Sequence, residues 1–529
     1  MKIKVTYGII AILLALVLCI KNLWFDEDPS EAKSEEMRVS RQPALKPSPA
    51  SSTARRDWDL DTKQDVSAIL KGAIPNQRIL TFKDREAMEQ YLARMGAGLR
   101  VLGRSDALNS LLVGFETESD LLASLDGSEE TSYNFPVHIP DMAKAMMPED
   151  AASLRNQVLD WLGVTQDNSA WGAGVKIAVL DSGIADHLVF KNSIQRINLV
   201  DLPADASRLN AHGTAVASLI FSNHSGAPGI SPAASPISIR IADDLGSSNS
   251  FLLAQGINAA VEAGAQLINI SMGGSGRSAL VDAALERAHE AGAVVIAASG
   301  NAGMEGVMQP AANPLVIAVG AVDAQNQYLA FSNTGAQLAI AAPGYNVNVA
   351  YPGDQAAMAS GTSFSTPIIT GTIAAAMSND SGAQLSARDA AALVQSYLND
   401  VGAAGSDSYT GAGVPDMWRI LNGNTPGIYD AGITSVYADG GTVNLVVQNL
   451  GTETMTDANV TIRVNGQTSE AAIPSLGAGE SLRVSVGGAG LETTDVQAAV
   501  SLGSGQNDQR AFNDEVSGTL SLEGFQTAE

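Results

Sequence analysis

The chain has almost no cysteine and comparatively few basic residues. Cys19 is the only cysteine among 529 residues, and it lies within an N-terminal apolar stretch. The chain beyond that stretch therefore forms no disulfides, and its stability must come from packing or bound ions. Lys and Arg number 31 against 56 Asp and Glu, which gives a net charge of −25. This balance argues against nucleic acid and anionic membrane surfaces as partners.

The N-terminal stretch has the pattern of an export signal. Residues 5–20 carry no charge and follow two lysines, so the cationic end would remain in the cytoplasm. No small-x-small cleavage site follows. We therefore expect residues 1–25 to be an uncleaved signal anchor in the cytoplasmic membrane, with a removed signal as the alternative, and the rest of the chain to be extracytoplasmic (periplasmic or secreted). Leu18 is bulky where lipoprotein processing before Cys19 requires a small residue, which argues against lipidation.

The remainder divides into four segments of different pattern. Residues 26–74 are rich in Glu, Ser, Pro and Arg and predict a flexible linker. Residues 75–145 alternate short strand and helix patterns and predict a small α/β unit. Residues 150–425 alternate apolar strands with helices, which predicts a parallel α/β sheet with helices on both faces. Residues 428–529 alternate apolar and polar positions around the turn Asn465-Gly466, which predicts a β-sandwich of about seven strands.

Three polar residues follow near-continuous apolar runs of the α/β segment. Asp181, Ser271 and Asn301 come at or just past the ends of runs that predict strands covered on both faces. Ligands of parallel sheets bind beyond the carboxyl ends of the strands. The pattern therefore predicts a site formed by these residues.

Four short motifs, each containing glycine, supply an acid, a base, an amide and a hydroxyl. They are Asp181-Ser182-Gly183, His212-Gly213-Thr214, Ser299-Gly300-Asn301 and the run 360–367, which contains Ser363. A serine hydroxyl is a weak nucleophile until an imidazole removes its proton, and a carboxylate holds that imidazole in one tautomer. Ser363 precedes a helix start, where free backbone N–H groups can face an oxyanion. Each motif alone would be an ordinary turn; together they indicate serine hydrolysis.

The order Asp, His, Ser resembles that of the subtilisin-like serine proteases (subtilases). The spacing from Asp181 to His212, 212 − 181 = 31 residues, fits that family. The resemblance implies a serine endopeptidase with Asp181, His212 and Ser363 as catalytic residues. It also implies Asn301 as the side-chain donor of the oxyanion hole, together with the backbone N–H of Ser363.

The resemblance further implies which residues line the substrate cleft. An extended peptide would make strand-like hydrogen bonds to backbone on both sides of the cleft. The loop 302–309 would place Met304, Val307 and Met308 near the pocket floor, which predicts a small or medium apolar residue before the scissile bond. The expected substrate-binding residues are Gly246, Ser247, Ser271, Met272, Gly273, Gly274 and Met308.

The flanking segments also resemble subtilase-associated domains. Residues 75–145 are similar in position and pattern to subtilase propeptides, which implies a self-processed zymogen inhibited by its own N-terminal part. Measured back from Asp181, the mature start of the family falls near Ala151 and Ala152, so cleavage is expected between about Pro140 and Arg155. The anchor would then hold only the unprocessed chain at the membrane. Residues 428–529 resemble Ig-like domains of the CARDB type, whose ligand the sequence does not identify.

The resemblance implies no required cofactor and leaves structural calcium open. Asp201, Asp205, Asp243 and Asp244 carry suitable carboxylates, but solvated surface residues are the simpler interpretation, so no metal ligand is assigned. Two alternatives to a general endopeptidase remain at this stage. One is a catalytically inactive subtilase fold serving as an adhesion or scaffold module, and the other is a maturation protease of narrow specificity.

Overall fold

The computed structural model describes residues 38–42, 71–140, 151–201, 211–378, 384–439, 441–488, 493–521 and 524–527. The expected anchor (1–25) and most of the expected linker (26–74) lie outside these residues. Across the described ranges, no helix is long and apolar enough to cross a membrane.

The N-terminal unit is a four-stranded antiparallel sheet with two helices, in the strand order β3-β4-β2-β5. The first helix begins after Asp84, whose carboxylate accepts a hydrogen bond from the Ala87 N–H at 2.8 Å and so caps the helix N-terminus. Leu80, Met88 and Tyr91 are fully buried at its centre. The elements of this unit, numbered after the N-terminal strand β1 (Arg38–Gln42), are β2 (Gln77–Phe82), α1 (Arg85–Arg94), β3 (Leu99–Ser105), β4 (Ser110–Phe115), α2 (Glu118–Ser124) and β5 (Glu129–Tyr133).

The central domain contains a seven-stranded parallel sheet in the order β14-β13-β12-β11-β7-β9-β8. Its strands are β7 (Lys176–Asp181), β8 (Gln195–Asn198), β9 (Ser235–Arg240), β11 (Leu267–Ile270), β12 (Val294–Ala298), β13 (Val316–Val322) and β14 (Leu338–Pro343). The remaining elements are short strands or helices: β6 (Pro136–His138), α3 (Val158–Trp161), α4 (His212–Phe221), β10 (Ser247–Asn249), α5 (Ser250–Glu262), α6 (Ala279–Glu290), β15 (Val347–Tyr351), β16 (Gln355–Ala359), α7 (Thr362–Met377), α8 (Ala387–Ser396), β17 (Leu398–Asn399), β18 (Val414–Pro415) and α9 (Met417–Asn422).

Helices cover both faces of this sheet. One apolar cluster joins α4, α7 and α8 to the sheet, and a second joins α5 and α6 to its other face. Every residue of α7 is buried, which requires a helix that is apolar or small on all sides. The predicted fold class, a subtilisin-like parallel α/β sheet covered on both faces, is confirmed.

The C-terminal domain consists of two antiparallel sheets. Its strands are β19 (Ala431–Asp439), β20 (Thr442–Asn449), β21 (Met455–Val464), β22 (Gln467–Leu476), β23 (Ser481–Gly487), β24 (Thr493–Ser501), β25 (Glu515–Ser521) and β26 (Gly524–Thr527). Asn465 and Gly466 have positive φ values of 47° and 83° and join β21 to β22, as the hairpin pattern predicts.

The first sheet of this domain has the order β1-β23-β20-β19, so its outer strand comes from the segment expected to be a flexible linker. β1 pairs antiparallel with β23, from Arg38 opposite Ser485 to Gln42 opposite Ser481. An edge strand presents unpaired backbone groups that any extended segment can bind. This pairing needs no apolar alternation in β1, and the sequence pattern therefore does not reveal it.

A buried polar junction links the central and C-terminal domains. The Arg419 guanidinium is buried and donates to the carbonyl oxygens of Leu398 at 2.7 Å and Leu450 at 3.2 Å. Arg510 forms ion pairs of 2.7 Å with Asp416 and 2.6 Å with Asp430. Because these partners lie on both sides of the junction, separating the domains would leave buried charges unpaired, which is strongly destabilising.

Asp400 belongs to the same junction and gives it a pH dependence. Its Oδ2 accepts hydrogen bonds from Ser481 Oγ at 2.6 Å and from the Gly405 N–H at 2.8 Å. Burial nevertheless raises the pKa of Asp400 above its ordinary value, to about 6. The folded chain thus binds this proton more tightly than the unfolded chain, so stability falls as the pH rises from about 4 through about 6.

We expect Asp400→Asn, made in a Ser363→Ala background to prevent autolysis, to raise the free energy of unfolding at pH 8. A difference of about two pKa units corresponds to roughly 2–3 kcal/mol, and the gain should disappear near pH 3.5. Guanidinium denaturation at the two pH values measures it, with Asp439→Asn at an exposed position as the control. An equal effect at both pH values would contradict the raised pKa.

Candidate active site

The candidate acid and base meet where β7 ends and α4 begins. His212 Nδ1 lies 2.9 Å from Oδ2 and 3.0 Å from Oδ1 of Asp181. Asp181 is fully buried, and its Oδ1 also accepts the Ser182 N–H at 2.7 Å. An ionised carboxylate only accepts hydrogen bonds, so Nδ1 carries the proton and Nε2 is left as the basic nitrogen.

Glycine allows this close approach. A Cβ atom on Gly213 would lie 2.4 Å from the carbonyl oxygen of Gly183, a distance that real Cβ atoms do not adopt. The first turn of α4 therefore contacts the loop after β7 directly. Gly183 and Gly213 leave room for this contact because neither has a side chain. Both lie in the motifs that contain Asp181 and His212.

Ser363 is the second residue of α7. Its Oγ donates to the carbonyl oxygen of Ser271 at 3.0 Å, and Ser271 Oγ donates back to the Ser363 carbonyl at 2.8 Å. The next residue, Phe364, has its ring centroid 5.5 Å from that of His212. The start of α7 is thus fixed against β11 on one side and against the imidazole on the other.

Asn301 has its side-chain amide held in one orientation by Thr362. Asn301 Oδ1 accepts hydrogen bonds from the Thr362 N–H at 2.9 Å and from Thr362 Oγ1 at 2.8 Å. Nδ2 is therefore available as a donor, and it donates to the carbonyl oxygen of Pro140 at 3.1 Å. Gly361 has a φ of 136°, and a Cβ atom there would lie 2.7 Å from Asn301 Nδ2. This role of Thr362 was not predicted from the sequence, although Thr362 lies beside Ser363 in the same motif.

Residues 136–140 run extended through the cleft next to this amide. His138 and Gly273 exchange backbone hydrogen bonds, each with an N···O distance of 3.0 Å. On the other side the Ile139 N–H donates to the Gly246 carbonyl at 3.0 Å, and β6 pairs antiparallel with β10. The segment thus forms the middle strand of three, as an extended peptide was expected to do.

The other expected cleft residues differ in their surroundings. Ser247 pairs with His138, and Gly274 exchanges backbone hydrogen bonds with Gln309. Met272 is fully buried in the core beneath the cleft. Met308 lies between Gly273 and Gly300, since a Cβ atom on either would come within 3.3 Å of its side chain. Met304, expected on the pocket floor, has 58% of its surface exposed.

Two of the four carboxylates considered for calcium have protein partners. Asp244 forms a 2.7 Å ion pair with the buried Arg240. Asp243 Oδ1 accepts the N–H groups of Leu245 and Ser247 at 2.9 and 2.8 Å. Asp205 lies outside the described residues. In the described part of the chain, no group of three or more His, Cys, Asp or Glu residues could hold a metal ion.

Comparison with known proteins gives the following similarities. The Subtilase family profile matches residues 172–413, and the CARDB profile matches residues 433–515. The chain is 32% identical over 311 residues to an alkaline protease of Shouchella clausii, covering 56% of this chain and 80% of that protein. It is 38% identical over 207 residues to subtilisin Savinase of Lederbergia lenta, covering 38% and 76%.

Two further proteins are similar to part of this chain. A thermostable alkaline protease of Halalkalibacterium halodurans is 37% identical over 206 residues, and the match spans 39% of this chain and 57% of that protein. The solved protease domain of PatA is 30% identical with a TM-score of 0.45, covering 49% of this chain and 98% of that structure.

The fold and these similarities define a class, the subtilisin-like serine endopeptidases, which are hydrolases. The chain belongs to the subtilase family and carries a CARDB domain at its C-terminus. The resemblance inferred from the four motifs is thereby confirmed.

Thr362 provides a test of how the Asn301 amide is oriented. Thr362→Val keeps the backbone donor to Asn301 Oδ1 and removes the hydroxyl, which donates to Oδ1 at 2.8 Å and accepts the Gly300 N–H at 3.3 Å. We expect kcat for a peptide substrate to fall about fivefold to tenfold, the worth of one hydrogen bond, with KM nearly unchanged. Thr372→Val is the matched control, because that buried hydroxyl only donates to the Ile368 carbonyl within the same helix. Equal losses in the two variants would indicate a general effect on α7.

Proposed function

We propose that the chain is an exported serine endopeptidase in which Ser363 is the nucleophile and His212 the general base. Ser363 Oγ turns from the Ser271 carbonyl, bonds to the scissile carbonyl carbon and gives its proton to His212 Nε2. Asp181 stabilises the imidazolium that forms. His212 then protonates the departing amine, and water regenerates the serine by the same proton route. The buried Asp181–His212 contact of 2.9 Å supports these roles.

We assign the stabilisation of the tetrahedral intermediate to Asn301 Nδ2 and the backbone N–H of Ser363. The single observation that carries the proposal is the 3.1 Å hydrogen bond from Asn301 Nδ2 to the carbonyl oxygen of Pro140. An acyl oxygen at this point lies against the N-terminus of α7, whose dipole favours negative charge. No step of the mechanism requires a metal ion or an organic cofactor.

Ser363 and His212 take part in the same proton transfer. The losses of activity caused by the two single substitutions should therefore not multiply in the double variant. Ser363→Ala, His212→Ala and the double variant should each lose on the order of 10⁶-fold in kcat, to a similar floor. Steady-state hydrolysis of a chromogenic peptide measures it, and circular dichroism checks that each variant folds. Losses that multiply in the double variant would contradict a unit formed by these two residues.

Residues 75–145 are proposed to act as the inhibitor of the enzyme. Ile79 and Leu112 of this unit belong to the same buried apolar cluster as α5 and α6. The Asn134 side chain is fully buried, and its Oδ1 accepts from Ser250 Oγ at 3.0 Å and from the Phe251 N–H at 3.2 Å, at the start of α5. The unit thus binds the central domain beside the cleft while residues 136–140 fill it, so a substrate would have to displace it.

The position of Pro140 selects one bond for self-processing. Because its carbonyl oxygen contacts Asn301 Nδ2, the peptide bond that follows is the bond facing the nucleophile. We expect the wild-type protein to be cut at the Pro140–Asp141 bond, the first bond of the expected window, and to yield a mature chain that begins at Asp141. The Ser363→Ala variant should stay uncut. Intact-mass measurement of both proteins tests this expectation. A mature start at Ala151 or Ala152 would contradict it.

Export and peptide substrates complete the proposal. The uncharged stretch 5–20 after two lysines supports translocation, and the expected anchor 1–25 would hold the unprocessed chain at the cytoplasmic membrane. Cleavage at Pro140 separates that anchor from the central and CARDB domains. The mature enzyme then acts on protein or peptide substrates outside the cytoplasm.

A further inference from the structure

We propose that the edge of β23 opposite β20 is a docking site for residues 38–42, and that this contact holds the cleaved N-terminal fragment on the mature enzyme. The proposal rests on the self-processing described above. It adds a second attachment point, on the CARDB domain, to the contact that the N-terminal unit makes with the central domain.

The pairing itself is regular over its whole length. All five residues of β1 have antiparallel partners in β23, from Arg38 opposite Ser485 to Gln42 opposite Ser481, without a register shift. The other side of β23 pairs with β20. Once β1 leaves, β23 becomes an edge strand with unpaired N–H and C=O groups, the arrangement that binds an extended peptide by strand addition.

Cleavage after Pro140 would place the two strands of the β1–β23 pair on different fragments. β1 and the unit formed by residues 71–140 both precede the Pro140–Asp141 bond, whereas β23 and the central domain follow it. The N-terminal fragment therefore binds the mature enzyme at two places through one chain. When one of the two contacts opens, the other keeps the fragment close to the enzyme, so the open contact forms again quickly. The fragment therefore dissociates more slowly than with one contact.

The net charge of the chain favours the approach of β1 at long range, although β23 itself carries Arg483 opposite Ser40 and no acidic residue. The sequence of β1 is Arg-Val-Ser-Arg-Gln, with two cationic residues and no acid, whereas the whole chain has a net charge of −25. An excess of acidic groups on the enzyme attracts a cationic segment over a distance set by the ionic strength. The occupant of the β23 edge is thus an extended, basic segment of this same chain.

The test uses the full chain carrying Ser363→Ala, with a recognition sequence for an added, specific protease placed within residues 141–150. A Val39→Pro/Ser40→Pro variant removes two consecutive backbone N–H groups, at least one of which faces β23 in an antiparallel ladder. Ser48→Pro, in the same segment but outside β1, is the matched control. After cutting, the release rate of the N-terminal fragment is measured by size-exclusion chromatography at successive times after dilution.

We expect the double-proline variant to release the fragment at least about tenfold faster than the parent and the Ser48→Pro control. In the uncut chain, hydrogen exchange should show faster exchange at residues 481–487 in the double-proline variant alone. Equal release rates, or equal protection of β23, would overturn the proposal. Because the added protease makes the cut, a failure of self-processing would contradict the proposed function without touching this result.

Discussion

The site depends on the complete burial of α7. All residues from Thr362 to Met377 are buried, and the small residues along the helix let it pass between the sheet and α4. A helix packed on every side cannot shift along its axis without opening cavities in the core. Its first turn therefore has a fixed position, and the Ser363 hydroxyl and the Thr362 donors share that position.

The polar contacts of the first turn extend this constraint to the other groups. Thr362 fixes the Asn301 amide, and Ser271 exchanges hydrogen bonds with Ser363, so β11 and the loop after β12 are aligned with the same helix end. Asp181 at the end of β7 then aligns the imidazole. Preorganised donors of this kind need no rearrangement when charge develops on a reacting oxygen.

Most of the parallel sheet follows from local pattern, because strands covered on both faces are continuously apolar. The apolar runs that precede Ser271 and Asn301 form β11 and β12, as their pattern predicts. β8 was not predicted, since its sequence Gln-Arg-Ile-Asn at the sheet edge has no such pattern. The same reason applies to β1, whose pairing lies more than 400 residues away along the chain. Edge strands are determined by the backbone groups of their neighbours more than by their own side chains.

The sequence alone determined the family, the fold class and the identity of the four candidate groups, because an acid, a base, an amide and a hydroxyl each stand within two residues of a glycine in one characteristic order. Tertiary structure decided what those groups face. The Thr362–Asn301 contact, the strand at 136–140 and the junction around Asp400 join residues from distant parts of the chain. Such contacts leave no periodic signal, because hydrogen bonds between loops depend on where the packed elements bring them rather than on spacing along the sequence.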